Sequence, residues 1–208
     1  MRARLCSGRL LRRALLAVAL LTAVAGAQTA PKSGARKASA HRANELTLAG
    51  LQPGRDALHR AVKLLGGYMQ IDPSDAKGTT DKAQAVWMDN CRGLLLRVDL
   101  DTGKDIQVVR LSTANWLRAD CEPIKALSRW KTGHGLRVGD DATKMGELYG
   151  EPDSRSPSTK EGQPLELWYY AFDWAGADVP QVMEVLCTRE ADGRPGRVVE
   201  ITLAGPSL

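Results

Sequence analysis

Apolar side chains recur at helical spacing in two short segments of the chain. In the first segment, Leu58, Val62 and Leu65 repeat at i, i+4 and i+7, which predicts one face of a helix. In the second segment, a shorter helix is predicted from a pair of acids at 140–141 through Leu148. Glycine follows each segment, and both begin with the motif Gly-Leu-x-x-Gly-x-Asp-Ala. The chain therefore repeats one helical unit.

Alternating or continuous apolar runs predict strands after each helix. The predicted strands are 84–88, 94–100 and 106–112 in the first half and 165–174, 181–188 and 197–203 in the second. Polar segments 72–82 and 153–163 precede them and are predicted to be loops, and glycine-bearing turns join the last two strands of each set. We expect an α+β fold of two tandem repeats, each a helix packed on an antiparallel three-stranded meander.

These elements divide the chain into five segments. Residues 1–27 combine five arginines, an apolar run and an Ala-Gly-Ala exit, which is typical of a secretory signal peptide. Residues 28–45 are small and polar and are predicted to be a flexible tether. Repeat 1 is expected over 46–114, a linker helix over 115–132 and repeat 2 over 133–208. A periplasmic or secreted location follows, with no membrane span in the mature chain.

Removal of the signal also changes the charge of the protein. The full chain has 29 Lys and Arg against 24 Asp and Glu, but five arginines belong to the signal, so the mature chain is formally neutral. Nucleic-acid binding needs a concentrated positive surface that neutralises phosphates. The composition therefore argues against nucleic acid as a partner.

Three cysteines stay in the mature chain, and an oxidising compartment favours a disulfide between two of them. If the hairpin between the second and third strands turns near Gly103, Cys91 lies opposite a residue near 114, a few positions before Cys121. This register favours Cys91–Cys121 and leaves Cys187 as a buried thiol. The spacing alone leaves the connectivity among the three open.

A family resemblance is carried mainly by the second repeat. Its motifs are GLRVGDDATKMGELYGEP at 135–152, then Trp168 and Tyr170, then EVLCTREADGRPGRVVEI at 184–201. This pattern resembles the SmpA/OmlA module of outer-membrane assembly lipoproteins, although the lipid-acceptor cysteine is absent. Two such units in tandem resemble the layout of secreted β-lactamase inhibitor proteins. The resemblance implies a sheet whose concave face grips a partner protein.

The aromatic segment 165–174 is the candidate partner-binding element. Alternation places Trp168, Tyr170 and Trp174 on one face of the predicted strand, and apolar residues occupy the other face as well. A strand that is apolar on both sides needs a second burial partner, which we expect to be another protein because tryptophan and tyrosine dominate interface hot spots. The alternative is that these side chains are core and inter-repeat packing.

Catalytic and metal-binding motifs are not evident, and we expect no cofactor. The three histidines do not cluster with cysteines at zinc spacing, and the chain has no nucleophile elbow or phosphate-binding loop. The sequence therefore favours a non-enzymatic binding module whose partner is an envelope or extracellular protein. Two alternatives stay open: a carrier of a small apolar or lipid ligand between the sheets, and an envelope enzyme of unfamiliar type that uses Cys187 or a histidine.

Overall fold

One antiparallel sheet of eight strands dominates the computed structural model, which describes residues 44–71, 83–115, 118, 120–122, 124–173 and 180–206. The described residues belong to a single unit within 37–208. The strands are β1 (Met69–Ile71), β2 (Gln84–Asp89), β3 (Leu94–Leu100), β4 (Ile106–Thr113), β5 (Ser154–Lys160), β6 (Gln163–Asp173), β7 (Pro180–Arg189) and β8 (Pro195–Ala204). The predicted signal peptide, residues 1–27, and nearly all of the predicted tether, 28–45, lie outside the described residues.

The two halves of the chain meet in the middle of this sheet. Strand order is β1-β2-β3-β4-β8-β7-β6-β5, and β4 pairs with β8 from Val108↔Ala204 to Ser112↔Glu200. An unpaired β4 or β8 would expose a row of backbone donors and acceptors, and pairing the two removes both edges. The expected architecture of two tandem repeats, each a helix on its own three-stranded meander, is therefore wrong.

Short helical elements cover one face of the sheet. They are α1 (Leu58–Leu65), a 3-10 helix (Lys125–Arg129) and α2 (Thr143–Tyr149). The buried face of α1 is Leu58, Ala61 and Leu65, whereas Val62 is 36% exposed, so one of the three predicted core positions of this helix points outward. In the described residues, neither α-helix has the length or apolar character needed to cross a membrane.

Rows of apolar side chains run across the covered face from one strand to the next. One row passes through Trp87, Leu96, Leu111, Ile201, Val185 and Trp168 in successive strands. All six are at most 4% exposed and belong to one hydrophobic cluster with the helices. Because this row crosses the β4–β8 pair without interruption, the two halves share a single core.

Two edge strands were not predicted: β5 forms within the expected polar loop 153–163, and β1 lies just before the other expected loop, 72–82. Strand β5 consists of SRSPSTK, is mostly exposed and pairs only with β6, while β1 pairs only with β2. Edge strands use backbone hydrogen bonds on one side, so they need neither apolar side chains nor a full set of N–H donors. Pro157 fits this position because proline is tolerated at sheet edges. The spacing of apolar residues along the sequence therefore does not predict such edge strands.

A disulfide joins Cys91, in the turn between β2 and β3, to Cys121, which follows β4. The two Cα atoms lie 5.4 Å apart, within the usual range for a disulfide. The pairing favoured by the sequence is confirmed. The carboxylate of Asp89 organises the same turn by accepting hydrogen bonds from the backbone N–H groups of Cys91 and Arg92.

Candidate binding surface

The aromatic strand β6 presents its largest rings to the core. Trp168 is 4% exposed and Tyr170 is 0% exposed, and both pack within the hydrophobic cluster. Tyr170 also stacks on Phe172 with ring centroids 6.0 Å apart. Neither of these predicted anchors offers its ring to a partner in this conformation. Trp174, the third predicted anchor, lies outside the described residues.

The opposite face of the same strand belongs to the side of the sheet that the helices leave uncovered, which we call the open face. Leu167, Tyr169 and Ala171 lie there, each partly exposed. Tyr169 pairs with Glu184 on β7, and burial, followed by the nearby carboxylates of Glu184 and Asp153, raises the pKa of Tyr169. The open face thus combines aliphatic, phenolic and charged groups.

The sheet curls toward its open face. Neighbouring strands lie about 4.8 Å apart, so β5 and β4, four spacings apart, would be separated by roughly 19 Å in a flat sheet. Nevertheless, Asn115, just after β4, donates from Nδ2 to Oε2 of Glu161, just after β5, over 2.8 Å. Lys160 Nζ of β5 also lies 2.6 Å from Glu200 Oε2 of β8. The end of the β5–β6 hairpin is therefore bent over the sheet.

A cavity of about 400 Å³ lies on the open face, bordered by this bent hairpin. Its charged lining comprises Arg97, Arg110, Lys160, Glu161 and Glu200. Arg110 Nε lies 3.4 Å from Glu200 Oε1 and donates to Thr202 Oγ1 over 3.2 Å. The guanidinium of Arg97 has no ion pair with any described residue, and its buried Nε has no hydrogen-bond partner there. We refer to this site as the arginine cavity.

A separate buried cluster joins three distant parts of the chain around Glu45, which is 1% exposed. Its carboxylate accepts backbone hydrogen bonds from Thr47, Gly133 and His134, and side-chain hydrogen bonds from His134 Nδ1 and Tyr149, all between 2.9 and 3.0 Å. A Cβ at position 133 would lie 2.7 Å from Glu45 Oε1, so a side chain there would displace the carboxylate from this position. We refer to these residues as the Glu45 cluster.

The Glu45 cluster holds its carboxylate in the charged form. Burial opposes ionisation and raises the pKa of Glu45, but the hydrogen bonds from the His134 and Thr47 backbones and from the His134 and Tyr149 side chains outweigh it, so the pKa is lowered. Burial, followed by the adjacent Glu45 charge, raises the pKa of Tyr149. The hydroxyl of Thr132 lies 2.7 Å from that of Tyr149 and completes the network. The arrangement fastens the segment around residue 45 to the body of the protein.

Sequence reasoning missed this cluster because its partners are far apart. His134 lies 89 residues from Glu45, and no motif places an acid near that histidine. The cues present were only a lone histidine between two glycines and an acid at the start of the apolar pattern. Neither residue type at that spacing indicates a pair before the fold is known.

The remaining candidates for catalysis are the Cys187 thiol and the His59 imidazole. Cys187 is 0% exposed, and burial, followed by the charges of Glu166 and Asp141, raises the pKa of its thiol to about 12. Its side chain is thus a protonated part of the core at neutral pH. His59 is an exposed residue of α1. Among the described residues, no group of three His, Cys, Asp or Glu side chains is arranged to hold a metal ion.

Comparisons with known proteins add two solved structures of low similarity. A DUF4309-family protein, YjgB, from Bacillus subtilis is 10% identical, with a TM-score of 0.39, covering 77% of this chain and 87% of that one. A putative beta-lactamase inhibitor protein from Streptococcus mutans is 14% identical, with a TM-score of 0.25, covering 79% and 91%. No family model and no curated protein matches the chain. The second structure is of the kind whose layout the sequence resembles, while the SmpA/OmlA resemblance stays a prediction.

Proposed function

We propose that the protein is an exported, non-enzymatic binding module that holds a partner protein of the envelope or extracellular space on its open face. The main support for this proposal is that the helices cover one face of the sheet, whereas the other face presents partly exposed side chains around a cavity. On a strand that is apolar on both sides, Leu167 and Tyr169 are the groups available for contact. Their mixture of apolar and polar surface is typical of protein interfaces.

The predicted anchors are reassigned within this proposal. Because Trp168 and Tyr170 are buried, we assign them the support of β6 in place of the contact role expected from the sequence. We assign the contact role to Leu167 and Tyr169, which alternate with them on the open face, while the role of Trp174 stays a prediction. The disulfide between Cys91 and Cys121 supports export, because such bonds persist in oxidising compartments.

The two alternative functions have less support in the structure. A carrier was expected to hold its ligand between two sheets, but the described strands form one sheet whose covered face is filled by side chains. An enzyme that uses Cys187 would need an accessible thiolate, and this thiol is buried with a raised pKa. His134 is engaged with the carboxylate of Glu45.

Site-specific photo-crosslinking tests the proposal directly. A photoreactive residue is placed at Glu184, exposed on the open face, or at Arg60, exposed on α1, in the mature chain 28–208 expressed in its native envelope. We expect a discrete crosslinked protein from position 184 and none from position 60. The variant Tyr169→Ala, checked for an unchanged melting temperature, should reduce that product. Crosslinking from position 60 alone would place the interface elsewhere and contradict the proposal.

A further inference from the structure

The floor of the arginine cavity carries two like charges side by side. Arg97 of β3 and Arg110 of β4 occupy directly opposed positions in the sheet, and both face the cavity. Like charges opposite one another destabilise a strand pair. Glu200 offsets one of them through its contact with Arg110, and it also contacts Lys160. One carboxylate is thus shared between two cations.

Arg97 is the group that this arrangement leaves without an acceptor. Its Nε is buried and has no hydrogen-bond partner among the described residues. Buried polar groups in folded proteins are nearly always hydrogen-bonded, and an unmet charged donor is especially costly. A donor in this state at the wall of an open cavity is available to an acceptor that the described residues do not supply.

The charge of the cavity limits which acceptor fits. Three cations, Arg97, Arg110 and Lys160, face two carboxylates, Glu161 and Glu200, which leaves one positive charge in excess. Glu161 is held by Asn115 at the border of the cavity. A single negative charge balances the site, and a planar carboxylate matches the two-pronged donor geometry of a guanidinium. The volume of about 400 Å³ accommodates a short acidic side chain.

We propose that the arginine cavity is a carboxylate-binding site in which Arg97 is the principal ligand and Arg110 and Lys160 supply additional positive charge. The inference rests on the proposed function, because we assign the carboxylate to an Asp or Glu side chain of the partner protein on the open face. A free dicarboxylate offers the same group and is the competing source. The site deepens the proposed interface by giving it a specificity-determining contact.

Side-chain NMR of arginine tests the site with defined probes. The Nε–Hε resonance of Arg97, assigned by its loss in Arg97→Gln, is followed at constant ionic strength during titration with N-acetylaspartate N-methylamide. In the parent we expect a saturable shift with this probe and no shift with the uncharged asparagine analogue. Affinities of the parent and the variants are compared through the backbone amide shifts of Ser112 and Ala114 at the cavity. We expect the affinity to fall at least tenfold in Arg97→Gln and in the charge-retaining Arg97→Lys. Arg60→Gln, an exposed arginine on α1, is the matched control and should bind as the parent does.

The possible outcomes test the carboxylate site, the source of its carboxylate and the proposed interface separately. No saturable shift, or equal weakening by Arg97→Gln and Arg60→Gln, overturns the carboxylate site. Succinate binding at least tenfold tighter than the capped aspartate overturns the partner side chain as its source and assigns the site to a free dicarboxylate. The backbone amide spectrum of each variant establishes that it is folded. If crosslinking from position 184 survives Arg97→Gln undiminished, the cavity site is overturned while the proposed interface stands. If capped aspartate binds but no crosslinked partner is found, the cavity site stands and the proposed interface is overturned.

Discussion

At position 45, a buried carboxylate accepts five hydrogen bonds from residues up to 104 positions away. Glu45→Gln removes the charge and replaces one acceptor oxygen with a donor amide, so that donors such as the Tyr149 hydroxyl lose their acceptor. Hydrogen bonds to charged groups contribute about 1.5–3 kcal/mol each, and we expect a loss of about 2–4 kcal/mol in the free energy of unfolding. Urea denaturation near pH 7 measures it, with the exposed Glu147→Gln on α2 as a near-neutral control.

The same residue predicts a pH dependence with a definite sign. The folded pKa of Glu45 lies below its ordinary value of 4.5, so the folded state favours the ionised form. Its contribution is therefore fully present above the unfolded pKa and is lost as pH falls through the lower, folded pKa. We expect the stability difference between the parent and Glu45→Gln to be constant from pH 7 to about 5 and to shrink on further acidification. A difference that grows in acid would contradict this assignment.

Cys187 is a second residue whose chemistry follows from its burial. With no exposed surface and a thiol pKa raised to about 12, it should not react with a thiol reagent while the protein is folded. For the mature chain 28–208, we expect no labelling by a disulfide exchange reagent near pH 8 in the native state and one thiol per chain in denaturant. Cys187→Ala provides the blank. Stoichiometric labelling of the native protein would revive the thiol-dependent enzyme.

The assignment of Tyr169, and not Trp168, to the contact surface shows what the sequence can and cannot predict for single residues. Alternation along β6 separates two faces correctly, with Trp168, Tyr170 and Phe172 on one and Leu167, Tyr169 and Ala171 on the other. It does not say which face the helices cover, because both are apolar. The larger rings occupy the core, where they bury more area, and the smaller groups are left to the open face.

Among the elements, the disulfide ties the β2–β3 turn to the segment after β4. It closes a sequence separation of 30 residues, which the loop-entropy argument converts to about 3–4 kcal/mol. The paired variant Cys91→Ala/Cys121→Ala should lose about that much stability. Treating the parent with dithiothreitol should produce the same loss, whereas dithiothreitol should leave the paired variant unchanged. Chemical denaturation measures each, and equal stabilities with and without the bond would contradict the prediction.

Elements were predictable where burial demanded apolar residues and unpredictable where it did not. The six predicted strands are present with nearly the expected bounds, because each places side chains in the core. Strand β5 escaped detection because its polar residues need only a backbone partner on one side. Its position matters for the candidate site, since Lys160 at its end borders the arginine cavity. The contribution of Lys160 to this cavity could therefore not be predicted from the sequence.

At the scale of the whole molecule, the β4–β8 strand pair joins the two halves of the chain into one sheet. Both copies of the Gly-Leu-x-x-Gly-x-Asp-Ala motif precede strands of one sheet. The apolar row from Trp87 to Trp168 crosses the β4–β8 strand pair. The Glu45 cluster adds a link of the segment near residue 45 to the α2 region. Among the described residues, the two halves are joined by strand pairing and by a continuous hydrophobic cluster. An independent domain needs its own core, and the described residues have one core between them.

The mature chain 28–208 should therefore unfold in one step. Scanning calorimetry should give a calorimetric enthalpy equal to the van't Hoff enthalpy. Arg110→Pro, in the centre of β4, removes a backbone donor from the strand that joins the halves and should destabilise the whole molecule, not one half alone. The matched control is Thr159→Pro in β5, two positions after the natural Pro157, where the backbone N–H points away from β6 and a much smaller effect is expected. Two separate transitions in the parent would show that the halves fold independently, and the shared core would then be contradicted.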